Sequence, residues 1–432
     1  MKDCETDPPI LIERARGLKL YEAKGGFYYD TISSWWCNIH GHNHRKINKA
    51  VKKQVGLLDH VLFAGFTHKP AIILAKKLTA IAPKGLSKVF FSDNGSTAVE
   101  TALKMSFQFW QNIGREKKTK FVSLDHAYHG DTVGAMSLGG VDLFNRVFIP
   151  LFFRSFKVPS PYCYRCPMGR QNLSCRIDCI QPLESLLKKR SAEVAAIILE
   201  PLVMAAGGMI IYPKEYLKKA ADLAKKYEVH LILDEVATGF GRTGKMFACE
   251  YVKIKPDFMC ISKGLTSGTL PLAATLTTEK VYRAFYGEYK RKNTFYHGHT
   301  YTANPIACQA ALANLEIFEE EGALAEVKKL MPILHRGLEG MRGLEFVGDV
   351  RYMGMIGAIE LVKDKGTKEA FGAEERIGYK IYKKGLMKRL ILRPLGNIIY
   401  LYLPLSTKEK ELRFILRRLY EILSDIRKII EG

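Results

Sequence analysis

Leu231-Ile232-Leu233-Asp234-Glu235-Val236-Ala237-Thr238-Gly239-Phe240-Gly241-Arg242-Thr243-Gly244 and, shortly after it, Phe258-Met259-Cys260-Ile261-Ser262-Lys263-Gly264 decide how this chain is read. Two apolar runs of buried-strand type each lead into a charge. A carboxylate at the end of such a strand costs several kcal/mol unless a cation or donors meet it, so Asp234 asks for a partner. Lys263 emerges from the second run at what would be the same edge of a parallel sheet. An amine desolvated there is the kind that attacks carbonyl carbon. One cofactor satisfies both residues: pyridoxal phosphate, whose aldehyde takes the lysine and whose protonated ring nitrogen takes the aspartate. Spacing alone leaves a second reading open, in which Asp234 caps a helix and Lys263 is an unrelated surface residue.

The run from Asp234 to Lys245, with Ser262-Lys263-Gly264, resembles the class III (subgroup II) aminotransferases of pyridoxal-phosphate fold type I, and the resemblance covers nearly the whole chain. It implies an α/β fold with a mostly parallel sheet in a large domain and a smaller α+β domain. It also implies ping-pong transamination, with Lys263 carrying protons as general acid and base. Ala237-Thr238 and Phe247-Ala248-Cys249-Glu250 most resemble the members that convert 8-amino-7-oxononanoate to 7,8-diaminononanoate in biotin synthesis.

The 432 residues, 47% of them hydrophobic, exceed one ordinary domain and suffice for a packed core. We expect residues 1–65 to pack with a small domain at 320–432, and 66–319 to form the large domain with a cysteine-containing insertion at 150–182. No apolar run approaches the ~20 residues of a membrane span. Met1-Lys2-Asp3-Cys4-Glu5 lacks a signal-peptide pattern, so a cytoplasmic protein is expected. Nine scattered cysteines then read as reduced thiols. The net charge of +22 invites a nucleic-acid reading, but its lysines and arginines are dispersed over amphipathic segments such as Lys46 to Lys53 and Arg413 to Lys428. These are solvated helix faces, and no nucleic-acid partner is expected.

Within the alternation of strands and helices from 88 to 278, further residues fall at strand ends. After Lys88-Val89-Phe90-Phe91-Ser92 comes Gly95-Ser96 at a helix start, where free N–H groups and the dipole suit a phosphate. A capping box of Ser96 or Thr97 with Glu100 is the competing reading. The resemblance places Gly95 and Ser96 as the phosphate-binding pair, Tyr128 of Tyr128-His129-Gly130 on the cofactor ring, and Glu200 beside it. It assigns Trp35, in Ser34-Trp35-Trp36, to the wall of the substrate pocket, with Tyr128, Arg242, Lys263, Gly298 and Arg393; Arg393, expected to follow an apolar strand, would clamp a carboxylate. His299 and Thr300 would serve the cofactor, Thr300 across a homodimer interface.

The paired tryptophans suit a sulfonium, since a cation gains ~0.5–2 kcal/mol over an aromatic face, which favours S-adenosylmethionine as amino donor. A lysine-using subgroup shares nearly all these motifs, and ornithine, 4-aminobutyrate and omega-amine transaminases share Asp234 and Lys263. Members also carry an aromatic-bearing stretch upstream of the segment that Met1-Lys2-Asp3 matches, which implies either an earlier start or a more open pocket. Cys163, Cys166, Cys175 and Cys179 have zinc-like spacing only in their first pair, and no metal is assigned to them.

Overall fold

The computed structural model describes residues 5–170 and 175–431; the Met1–Cys4 part of the signal-peptide reading lies outside them. The chain divides into two compact units, Lys49–Leu324 and the pair Met1–Asn48 with Ala325–Gly432.

The first unit is built on a seven-stranded sheet in the order Leu86–Ser92, Ala273–Thr278, Phe258–Ile261, His230–Asp234, Val194–Leu199, Lys120–Leu124, Phe156–Val158. Its central strands are buried along their whole length, as their near-continuous apolar sequences require when both faces are covered. Ala273–Thr278 alone runs against its two neighbours. The other six point one way, so the residues following each of them gather along one edge. Phe156–Val158 falls within the stretch read as an insertion, yet it pairs Phe156 with Val122 and closes one side of the sheet.

The helix Gly95–Asn112 lies on this sheet through Ala98, Ala102, Met105 and Phe109, spaced three and four apart, which meet Ile198, Ile232 and Phe258. Removing a buried ring such as Phe109 would cost about 3–5 kcal/mol. The helix starts because Asn94 accepts the Thr97 N–H at 3.1 Å while Thr97 Oγ1 accepts the Asn94 N–H at 3.1 Å. The capping box therefore belongs to Asn94 and Thr97 rather than to Ser96 or Thr97 with Glu100. Arg45–Val55 and Lys69–Ile81 are two separate helices, the second opened by a His68 cap and Pro70.

The second unit holds two antiparallel three-stranded sheets, Ile12–Arg16, Lys19–Glu22, Phe27–Tyr29 and Val347–Met353, Ile356–Leu361, Ile398–Tyr402. Lys24-Gly25-Gly26 turns the chain between the second and third of these strands. The middle strand escapes sequence reading because all four of its residues are half-buried and show no alternation. Arg393 does not follow a strand: Leu390 makes a bridge with Tyr29, and residues 391–394 continue as irregular chain. Main-chain bonds from Tyr29 N to Arg389 O (2.8 Å) and from Tyr402 N to Thr31 O (2.7 Å) bind the N-terminal segment to the C-terminal one.

Candidate active site

Asp234 is the last residue of its strand, in register with Cys260 of Phe258–Ile261, and Lys263 follows that neighbour by two residues. The two charges therefore leave adjacent parallel strands at the same edge. Asp234 is 4% exposed; its Oδ2 meets His129 Nδ1 at 2.8 Å, and its Oδ1 accepts the Val236 N–H at 3.1 Å. His129 is thus the partner that a buried carboxylate needs. Sequence reading passed over it in favour of Tyr128, since nothing local says which of two adjacent loop rings turns inward.

Glu200, at the end of Val194–Leu199, accepts the Tyr128 N–H (3.0 Å) and the Ala205 N–H (2.9 Å). Burial, reinforced by the nearby Asp234 charge, pushes its carboxyl up to about 8, against the pull of those N–H groups and of Lys263. Glu200, Asp234 and Lys263 consequently share one electrostatic neighbourhood. Lys263 itself is half-buried and sits at a φ of 45°, a left-handed backbone that costs an L residue strain and is typical of functional positions.

The helix start and the Tyr128 loop are joined directly. Ser96 Oγ accepts the Asp131 N–H at 3.1 Å, and Asp131 Oδ2 accepts the Tyr128 hydroxyl at 2.9 Å. Gly130 lies against Ser96 so closely that any Cβ there would overlap it, at a φ of 125° that only glycine adopts freely. A Cβ on Gly95 would meet Val236 Cγ1 at 2.6 Å, so the helix start also abuts the turn after Asp234. Gly95, Ser96, Tyr128, Asp234 and Lys263 are brought to one sheet edge. His299 joins this edge through its Nδ1, 2.7 Å from Asp93 Oδ2, whereas Gly298 and Thr300 on either side of it are exposed.

The glycine-rich turn after Asp234 is held by Glu235, a buried acid not singled out by sequence. It accepts the N–H groups of Ala248 (3.1 Å) and Cys249 (2.8 Å) and the Thr238 hydroxyl, and burial pushes it up to about 7. Arg242 lies inside this turn, 1% exposed.

Trp35 and Arg393 form a cluster of their own in the second unit, with the guanidinium carbon 4.0 Å from the indole centroid. Trp35 is 55% exposed, while Trp36 is 3% exposed and gives its indole N–H to Tyr400 at 3.2 Å. The four cysteines Cys163, Cys166, Cys175 and Cys179 line one small cavity, and burial, then the neighbouring thiols, push Cys179 up to about 12. Among the described residues no three His, Cys, Asp or Glu side chains are grouped as metal ligands. Nor, among them, is any helix long and apolar enough to cross a membrane.

The edge fits pyridoxal phosphate. A buried carboxylate with acceptor capacity left can meet a protonated ring nitrogen. The first N–H groups of the helix, at Gly95 and Ser96, lack intrahelical acceptors and suit the phosphate. A lysine stands between.

The model of the aminotransferase class III family matches residues 1–423. The chain is 48% identical to an adenosylmethionine-8-amino-7-oxononanoate aminotransferase from Geobacter sulfurreducens, over 96% of this chain and 92% of that protein. It superposes on the crystal structure of the enzyme of that name from Methanocaldococcus jannaschii with a TM-score of 0.94 and 44% identity, covering 98% and 95% of the two chains. It superposes equally, with a TM-score of 0.94 at 32% identity over 100% and 95%, on an omega transaminase from Pseudomonas jessenii in complex with PMP.

Proposed function

The chain belongs to the class III aminotransferases, which bind pyridoxal phosphate, and from that premise we propose that it moves an amino group from S-adenosylmethionine to 8-amino-7-oxononanoate, giving 7,8-diaminononanoate for biotin synthesis. The observation that carries this reading is the placement of Asp234 and Lys263 at the ends of neighbouring parallel strands, in a chain 48% identical over 96% of its length to a relative of that activity.

When bound, pyridoxal phosphate supplies an aldehyde that accepts amino groups and a ring that takes up the electron pair left when a C–H bond breaks. Gly95 and Ser96 would hold the phosphate through the helix start, and Tyr128 would supply a flat ring for the cofactor. Asp234, oriented by His129, keeps the ring nitrogen protonated. Glu200 fixes the Tyr128 main chain. Lys263 would hold the group through its Nζ, and the same Nζ, when free, would take the proton from the donor carbon and give one to the acceptor carbon. Arg393 and Trp35 serve substrate binding, the guanidinium for a carboxylate and the indole face for the donor sulfonium. Arg242 is assigned to substrate through the turn it occupies, and Gly298 through its exposed loop.

The active form is a homodimer in this reading. Leu57, Leu62, Phe66 and Ile72 are exposed, as are Tyr296 and Tyr301 to either side of Gly298–Thr300, and exposed apolar side chains are what a partner surface would cover. His299 and Thr300 would then serve cofactor phosphate, Thr300 that of a second copy.

The test supplies purified, cofactor-loaded protein with 8-amino-7-oxononanoate and each donor in turn. Diaminononanoate formed from S-adenosylmethionine is expected. Product from lysine alone would replace the donor, and transfer from 4-aminobutyrate with none to the oxononanoate would overturn the substrate assignment.

A further inference from the structure

Ser33, Ser34, Trp35 and Trp36 have φ values of 52°, 45°, 68° and 73°, a complete turn of left-handed backbone without one glycine. L residues visit this region singly and at a cost, so four in a row persist only where the surroundings dictate them. Those surroundings centre on Asp30, which is 1% exposed. Its Oδ1 accepts the Ser34 N–H at 2.9 Å and the Ile32 N–H at 3.4 Å. Its Oδ2 accepts the Ser34 hydroxyl at 2.7 Å and lies 2.7 Å from His42 Nε2. Asn38 Nδ2 donates to His42 Nδ1 at 3.1 Å, which leaves the ring proton on Nε2, facing the carboxylate. Burial works to raise the Asp30 carboxyl, but His42 and Ser34 prevail and hold it below the usual carboxylate range. From the other side, Ser33 Oγ donates to Tyr402 O at 2.5 Å and Trp36 is clamped on Tyr400 and Tyr402. The turn thus has one buried ring as its anchor and one exposed ring, Trp35, carried outward beneath Arg393.

We propose that Asp30 is a positioning residue for substrate: by pinning Ser34 and His42 it locks the left-handed turn that presents Trp35 to Arg393. This rests on the reading of Trp35 and Arg393 as substrate-binding residues. None of Asp30's partners is assigned to cofactor or proton transfer, so its loss strikes affinity rather than turnover.

The test is steady-state kinetics of cofactor-loaded variants with both substrates. Asp30→Asn keeps the shape and loses the charge; KM is expected to rise on the order of 10-fold with kcat within about twofold, the scale of one charged hydrogen bond. Trp36 and Trp110 are buried, so acrylamide quenching reads Trp35 and is expected to change in the same variant. Glycine accepts positive φ without strain, so adding Ser34→Gly to Asp30→Asn is expected to recover most of the lost affinity. Should Asp30→Asn fail to fold, Ser34→Ala, which removes one contact of the four, is expected to raise KM roughly threefold. A fall in kcat with KM unchanged, or no recovery with Ser34→Gly, overturns the inference. Trp35→Ala separates the two levels. If it raises KM while Asp30→Asn does not, only the positioning role falls; if it leaves KM unchanged, the substrate role of Trp35 falls with it.

Discussion

In the proposed reaction, the contact between His129 and Asp234 would set how much charge the ring nitrogen keeps. Replacing Asp234 by Asn leaves the shape and removes the charge, and kcat is expected to drop by about 10²–10³-fold, the scale of losing one preorganised electrostatic partner; stopped-flow single turnovers measure it directly. The buried acids also give the cofactor-free protein a pH signature. Glu200 and Glu235 stand at about 8 and about 7 in the fold against an ordinary 4.5. Between the ordinary value and these, the folded chain holds protons that the unfolded chain has lost, so stability is fullest below about 4.5 on their account and declines as pH rises towards 8. Glu200→Gln is expected to flatten that decline in urea titrations run from pH 5 to 8. Asp234 and Lys263 announce themselves in sequence because each ends an apolar run. His129 and Asp30 do not, since a histidine in a loop and an aspartate before a turn carry no sign of the side chain each will meet.

Among elements, the helix Gly95–Asn112 carries most of the design, with a cap, an apolar stripe and the start proposed to hold phosphate within 18 residues. Asn94→Ala is expected to cost ~1 kcal/mol, read as a lower urea midpoint. Gly130→Ala drives a methyl into Ser96 and into forbidden backbone, and is expected to weaken cofactor binding about tenfold or more, measured by reconstitution of the visible band. The strands and helices of the sheet domain were legible because buried parallel strands read as continuous apolar runs and their helices as three-and-four stripes. The left-handed turn was not: without glycine, no local pattern separates Ser33-Ser34-Trp35-Trp36 from an ordinary loop. The approach to Arg393 reads as a strand for a related reason: its apolar residues meet Tyr29 through a single bridge rather than a ladder.

For the whole molecule, the proposed pairing of two chains draws on the exposed apolar side chains at Leu57, Phe66 and Ile72. A stable pair of chains needs roughly 1,000 Å² or more of buried surface. Leu57→Glu with Phe66→Glu is expected to halve the mass seen by light scattering and abolish turnover, whereas an intact active dimer would move the interface elsewhere. The order of the strands has a further consequence. Leu86–Ser92, which leads into the helix Gly95–Asn112, has among the described residues Ala273–Thr278 as its only neighbour in the sheet. On the ribosome, some 180 residues must emerge between the two before that edge can close, a long-range pairing of the slow kind. Until then the nascent chain exposes an unmatched strand edge, an invitation to aggregation that a chaperone would have to shield. The strand edge beside Gly95 is therefore the last part of that sheet to be finished at birth.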